Sequence, residues 1–125
     1  LVRSRGLGDV YKRQAYPNAG PIEWDSEMHG MERIYEAEFR INGFQFDVKI
    51  APDGKIVRIK EEIAASSLPE AVRASVLKRY PGCRIKEAEK ITEGELVRYK
   101  VEVADSRDDY DVLIAPDGNI LHVDR

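Results

Sequence analysis

Two pairs of carboxylates in this chain of 125 residues are spaced so that like charges would face each other across a β-hairpin. Asn42-Gly43 predicts a two-residue type I′ turn, the connection that most favours a tight hairpin. That turn would place Glu38 opposite Asp47, on the face away from the apolar side chains. The same spacing recurs later in the chain, where it would place Glu102 opposite Asp111.

Like charges directly opposite each other destabilise a sheet by roughly 0.2–1 kcal/mol, so both pairs call for an explanation. One explanation is that neighbours such as Lys49, Lys100 or a lysine on the adjacent strand neutralise each pair, which leaves ordinary solvated charges. The other is that the carboxylates contact a basic partner or hold a divalent cation weakly. The four carboxylates are therefore the candidate binding residues, and the sequence leaves both explanations open.

The other residue types that could do chemistry are poorly placed for it. Cys83 is followed by Arg84 and could be a reactive thiol, but a small buried side chain is the simpler interpretation. His29 and His122 lack ligand spacing. Trp24 could anchor a partner, but the simpler interpretation is that it covers the sheet edge or core. No serine, histidine and aspartate set and no glycine-rich loop before a helix is present. We therefore predict no enzymatic activity, no metal site and no cofactor.

The carboxylate pairs belong to a longer internal duplication. Residues 46–56 and 110–120 are identical at eight of eleven positions, and each copy alternates apolar and polar residues as a half-buried strand does. Each copy then breaks at a Pro-Asp-Gly turn, in which the glycine is expected to have positive φ. The predicted structural turns are Asn42, Gly43, Pro52, Asp53, Gly54, Pro116, Asp117 and Gly118.

Charge and composition exclude several classes of partner. The formal net charge is −3, and residues 1–14 contain four basic side chains and one acidic one, so the remainder is strongly acidic. An acidic body argues against binding to nucleic acid. No apolar run approaches the length of about 20 residues that spans a membrane, so we predict no membrane insertion. Residues 1–14 resemble a translated adaptor and are interpreted as artefactual, with any export signal upstream of residue 1.

Hydrophobic periodicity predicts one helix and eight strands. Ser67 and Glu70 fit a capping box ahead of a helix at residues 68–80. The spacing of Ile56 and Ile59 interrupts a strand's alternation and predicts a β-bulge. The predicted strands lie near residues 20–26, 32–41, 44–51, 55–62, 83–91, 95–104, 109–115 and 119–124.

The order of these motifs resembles the PepSY-like, β-lactamase-inhibitor-like proteins of bacteria. The residues that carry the resemblance are Tyr35 to Phe39, Asn42-Gly43, residues 53–56, Leu68 to Val72, Tyr80 to Gly82 and Ile85 to Glu89. The resemblance implies tandem α+β modules, a periplasmic or secreted location and a non-catalytic function.

Taken together, these patterns predict an α+β fold built from tandem repeats, each with one helix on a four-stranded antiparallel sheet. The repeats would span residues 15–64 and 65–125, and the first would lack its helix, whose place falls at residues 4–16. The apolar face carrying Phe39, Phe46, Val48 and Ile50 is therefore expected to be only partly covered. The predicted function is binding of another protein, with an inhibitor-like action on a peptidase or envelope protein. Ligand or cation sensing and a structural scaffold are the alternatives, and the sequence does not indicate an oligomeric state.

Overall fold

The computed structural model of the chain describes residues 20–125. This part of the chain contains eight β-strands and one α-helix, with a short 3-10 turn at Ala65–Ser67 before the helix. The elements are β1 (Glu23–His29), β2 (Glu32–Ile41), β3 (Phe44–Ile50), β4 (Ile56–Ile63), α1 (Glu70–Arg79), β5 (Arg84–Glu93), β6 (Leu96–Ala104), β7 (Asp109–Ile114) and β8 (Ile120–Asp124).

The eight strands form one antiparallel sheet in the order in which they occur in the chain. The predicted architecture of two repeats, each with its own four-stranded sheet and the first without its helix, is therefore wrong for residues 20–125, which form a single sheet with one helix and are mostly β. Two separate sheets would expose four unpaired edges, whereas one sheet exposes two. The predicted site of a first helix, residues 4–16, lies outside the described residues.

The chain divides into two compact units, the second of which begins at Glu62. In the first unit, the core consists of side chains on one face of β2 and β3. Ala37, Phe39, Val48 and Ile50 are at most 3% exposed, so the expectation of a partly uncovered face is wrong for Phe39, Val48 and Ile50, whereas Phe46 is half-buried. The residues that pack against them include Ile22, Trp24, Ile41, Phe46, Ile56 and Ile59.

The second unit buries one face of its strands under α1. Val72 and Val76, one helical turn apart, are fully buried and belong to one cluster with Val101, Val112 and Ile114. Burying such side chains contributes roughly 1.5–3 kcal/mol each. The opposite face of these strands, which we call the open face, carries polar and charged residues.

Helix α1 begins later than predicted, and its first turn is capped differently. Leu68 and Pro69 are extended, no side chain caps the helix, and the backbone carbonyl of Pro69 accepts hydrogen bonds from the N–H groups of Val72 and Arg73. Ser67 lies in the preceding 3-10 turn, where its side chain forms no capping bond, so the predicted capping box is wrong. Glu70 still complements the positive end of the helix dipole.

The strand registers agree closely with the sequence prediction. In the first hairpin, Phe39 pairs with Phe46, and Glu38 pairs with Asp47 as expected. The predicted β-bulge in β4 is also confirmed, since Val48 pairs with Ile59 while Ile50 pairs with Ile56. These registers determine which charged side chains share the open face.

Candidate functional site

A row of four carboxylates crosses the second unit from β5 to β8. Glu87 pairs with Glu102, Glu102 pairs with Asp111, and Asp111 pairs with Asp124. Directly paired residues point to the same side of a sheet, so all four side chains lie on the open face. The pair predicted from the sequence, Glu102 with Asp111, forms the middle of this row.

Two lysines partly neutralise the middle of the row. The Nζ atom of Lys86 lies 3.9 Å from a carboxylate oxygen of Glu102 and 3.0 Å from one of Asp109. The Nζ atom of Lys100 lies 3.9 Å from a carboxylate oxygen of Asp111. Hydrogen bonding to Asp109 and the charges of Asp109 and Glu102 raise the pKa of Lys86. Ion pairs this exposed contribute little to stability, so the row keeps its acidic character toward solvent.

The first unit has a corresponding row of charged residues, which ends in a lysine instead of a carboxylate. Glu23 pairs with Glu38, Glu38 pairs with Asp47, and Asp47 pairs with Lys60 on β4. The side-chain amide of Gln45 donates a hydrogen bond of 3.0 Å to Asp47.

Glu38 lies close to several other carboxylates, and its pKa reflects their proximity. Partial burial raises the pKa of Glu38, and the carboxylates of Asp47, Glu36 and Glu23 raise it further. Lys49, a candidate neutralising partner, instead lies 3.3 Å from Glu27. Lys60 on the adjacent strand lies opposite Asp47, however, so neutralisation by a lysine is available to the first unit through Lys60 and to the second through Lys86 and Lys100.

A shallow, open cavity of about 180 Å³ lies over the row of the second unit. Its walls include Glu62 and Glu89 together with the row residues Glu87, Glu102 and Asp111. Lys100 also lines it. The cavity is predominantly carboxylate-lined, which suits a basic group on a partner.

Within residues 20–125, no group of three histidine, cysteine, aspartate or glutamate side chains is arranged to hold a metal ion. Cys83 is unpaired with another cysteine and packs against the core of the second unit, where burial raises the pKa of its thiol. His29 is exposed and lies 2.9 Å from Glu27, while Trp24 packs against the core of the first unit. None of these side chains joins the carboxylate rows.

The turn residues support the strands that carry the rows. Asn42 and Gly43 have positive φ angles of 51° and 85°, as a type I′ turn requires. Gly54 and Gly118 have φ angles of 89° and 92°. The carboxylates of Asp53 and Asp117 accept hydrogen bonds from the N–H groups of Lys55 and Asn119, while Pro52 and Pro116 begin the two turns.

The sequence prediction missed Glu23, Glu87 and Asp124 as members of the rows, and it allowed for a lysine on the adjacent strand without identifying Lys60. Each lies on β1, β4, β5 or β8, whose registers do not depend on the Asn42-Gly43 hairpin. The spacing of the duplication would have found them, because Glu23 is 64 residues before Glu87 and Lys60 is 64 residues before Asp124.

Comparison of this fold with solved structures finds several close matches. A candidate periplasmic protein from Bacteroides eggerthii matches with a TM-score of 0.77 and 20% identity, over 94% of this chain and 86% of that chain. A BLIP-like protein from Bacteroides fragilis matches with a TM-score of 0.70 and 21% identity, over 96% and 84%. The chain has a BLIP-like fold.

A DUF2874 family protein from Bacteroides uniformis also matches this BLIP-like fold, with a TM-score of 0.74 and 21% identity, over 94% of this chain and 86% of that chain. No protein-family model and no curated protein matches the chain. In the described part of the chain, no helix is long and apolar enough to cross a membrane.

Proposed function

We propose that this protein is a non-catalytic, extracytoplasmic module that binds another protein through the acidic open face of its sheet. The partner class is an envelope protein, such as a peptidase, on which binding would act as inhibition. The BLIP-like fold and its likeness to a candidate periplasmic protein support the location and the class. No cofactor is needed for this function.

The observation that carries the proposal is the row Glu87, Glu102, Asp111 and Asp124. Three successive cross-strand pairs of like charge reduce the stability of the free protein, by roughly 0.2–1 kcal/mol for each pair. A basic partner surface would relieve that repulsion on binding, and complementary charge also accelerates association and selects the partner.

We further propose that the two units are PepSY-like tandem repeats, corresponding to residues 15–64 and 65–125. The support is the register: Glu38 with Asp47 and Glu102 with Asp111 pair in the same way 64 residues apart. Under this proposal each repeat presents its own acidic row to a partner, and the second repeat has the more acidic one.

The test compares two double variants with the same change in net charge. Glu102→Gln with Asp111→Asn removes two charges from the row, and Glu32→Gln with Glu95→Gln removes two from exposed hairpin ends as a control. The parent and both variants are tested by biolayer interferometry against purified periplasmic peptidases and basic envelope proteins at physiological ionic strength.

We expect at least one member of the panel to bind the parent chain with a micromolar or lower Kd. The row variant should bind it at least about tenfold more weakly, as expected when a set of charge pairs across an interface is lost, whereas the control variant should bind normally. Equal weakening by both variants would reject the open face as the binding surface. If no protein on the panel binds, the scaffold interpretation is favoured.

Cation sensing is the second candidate, and the carboxylate-lined cavity of the second unit is the observation that favours it. Calcium takes six to eight oxygen ligands, and no three such side chains within residues 20–125 are arranged to hold a metal ion, so this candidate requires Glu87, Glu102 and Asp111 to move together when calcium binds. A melting scan with and without millimolar calcium tests it. A rise in Tm that is lost in the row variant would support sensing, and an unchanged Tm would reject it.

A further inference from the structure

Strand β8 lies at an edge of the sheet, and its composition differs from that of an edge strand protected against pairing. Within residues 20–125 it pairs only with β7 and is the last strand of the sheet. Leu121 and Val123 are 47% and 36% exposed, and β8 contains neither proline nor lysine. Soluble proteins often protect an edge strand with proline or lysine, because the unpaired N–H and C=O groups of the edge can otherwise pair with another strand.

The other terminal strand of the sheet, β1, is protected by charge. Glu23, Asp25 and Glu27 alternate along it with the residues of its apolar side. Charged side chains repeated along an edge discourage a further strand from pairing. Among the described residues the two terminal strands therefore differ: β1 carries three acidic residues along its length, whereas β8 carries one, Asp124.

The charge at β8 determines what could add to it. Asp124 ends the carboxylate row and has no ion-pair partner among the described residues. The neighbouring guanidinium of Arg125 lies 2.7 Å from a carboxylate oxygen of Asp108 and stacks over the Tyr110 ring. The charge left at this edge is therefore negative, and a strand placed beside it would meet Asp124 directly.

We propose that β8 is a docking edge for an extended segment of a partner protein in which basic and apolar residues alternate. The segment adds a ninth strand by main-chain hydrogen bonds, as in other cases of β-strand addition. Its lysine or arginine lies opposite Asp124, in the way that Lys60 lies opposite Asp47 in the first unit. Its apolar residue lies beside Val123, and its main chain covers the outer side of β8.

A second copy of this chain is a poorer occupant. Antiparallel pairing of two β8 strands about His122 would place Asp124 of each copy beside Ile120 of the other, so that each carboxylate meets an aliphatic side chain. The acidic net charge of the chain also opposes self-association. The inference concerns the strand edge rather than the open face, so it can fail or succeed independently of the proposed function.

The experiment uses a fluorescent, capped peptide, Thr-Lys-Val-Lys-Val-Lys-Thr, and fluorescence anisotropy with the full chain at physiological ionic strength. A second peptide has the same sequence with N-methyl groups on alternate residues, which removes backbone donors and keeps the charge. A third has the same composition with its lysines and valines in separate blocks. We expect the first peptide to bind at least about tenfold more tightly than either control.

Protein variants locate the site. Leu121→Lys places a positive charge at the edge, where it would repel the lysines of the peptide. Val57→Lys is its matched control, because Val57 occupies the corresponding position of the interior strand β4 and is 41% exposed. Leu121→Lys should weaken binding at least about tenfold and Asp124→Lys about three- to tenfold, whereas Val57→Lys should leave it unchanged. Circular dichroism confirms that each variant is folded.

Amide shifts in the NMR spectrum on adding the first peptide should concentrate at residues 120–124. The N-methylated peptide keeps its charge but lacks backbone donors, so equal binding of the two peptides would show that attraction to the acidic face alone explains the binding. That result would overturn the proposal. Shifts concentrated at residues 23–29 would also overturn it. A dimer detected by sedimentation without peptide, and abolished by Leu121→Lys, would assign the edge to a second copy instead.

Discussion

Lys60 and Asp124 occupy corresponding ends of the two charged rows and carry opposite charges. Lys60 lies opposite Asp47 and forms a complementary pair, whereas Asp124 lies opposite Asp111 and extends a run of like charges. The same backbone arrangement therefore supports a partly balanced row in one unit and an unbalanced row in the other. This difference can be tested in the free protein, without any partner.

Asp124→Lys should stabilise the protein, because it converts a like-charge pair with Asp111 into an opposite-charge pair. We expect a gain of roughly 0.2–1 kcal/mol in the free energy of unfolding at low salt. Urea denaturation followed by circular dichroism measures it, and one molar salt should reduce the gain. Glu95→Lys, at a hairpin end, makes the same change in net charge. An equal gain in that control would show that net charge, rather than the cross-strand pair, is responsible.

The raised pKa of Glu38 leads to a pH-dependent effect of Glu38→Gln. Protonation of Glu38 favours the folded state, so its favourable contribution is complete below the ordinary value of 4.5 and is lost as pH rises through the raised pKa. At neutral pH the variant should therefore be more stable than the parent, by roughly 0.2–1 kcal/mol if cross-strand repulsion dominates.

Thermal denaturation at neutral pH and well below pH 4.5 tests this prediction, with Glu32→Gln as a control for loss of one exposed charge. The advantage of Glu38→Gln should disappear at the lower pH. If the advantage is the same at both pH values, the carboxylate's ionisation is not its cause.

Gly118→Ala should destabilise the second unit more than Gly43→Ala destabilises the first hairpin. The two glycines have similar φ angles, 92° and 85°, so the backbone strain of roughly 1–3 kcal/mol is shared. A Cβ at Gly118 would also lie 2.6 Å from the carbonyl oxygen of Ala71 in α1, whereas one at Gly43 meets no described atom within 4 Å.

The expected difference between the two variants is at least about 1 kcal/mol in the free energy of unfolding, because the β7–β8 turn or the helix must move. Urea denaturation of both variants measures it. Similar losses would mean that the turn can withdraw from α1 without cost.

Cys83 should react slowly with thiol reagents in the folded protein. Burial raises the pKa of its thiol, and the thiolate is the reactive form. The rate of reaction with Ellman's reagent at neutral pH should rise sharply when the protein is unfolded in urea. Equal rates in the folded and unfolded states would place the thiol at an accessible surface.

Local patterns predicted most of the strands and their pairing. A two-residue turn leaves one register for its hairpin, and this is why Glu38 was correctly placed opposite Asp47. The Ile56 and Ile59 spacing revealed the bulge for a similar reason, since both isoleucines must reach the same apolar side.

The errors concern features that depend on the rest of the fold. The start of α1 depended on the extended backbone of Leu68 and Pro69, and a capping motif in the sequence does not determine that backbone. All eight strands belong to one sheet, and no turn motif in the sequence indicates that the two groups of four strands join. The rows were only half predicted for the same reason, because Asp124 and Glu87 reach Asp111 and Glu102 through strands outside the predicted hairpins.

The sequential order of the sheet has a consequence for how the protein folds. Because strands next to each other in the sheet are also consecutive in the chain, hairpins such as β2–β3 and β6–β7 can close over short loops. Short closures cost little entropy, and chains dominated by them fold faster than sandwiches in which distant strands must meet. During synthesis, the β2–β3 hairpin can therefore form before the ribosome has made β8, so growth of the sheet can follow the direction of translation.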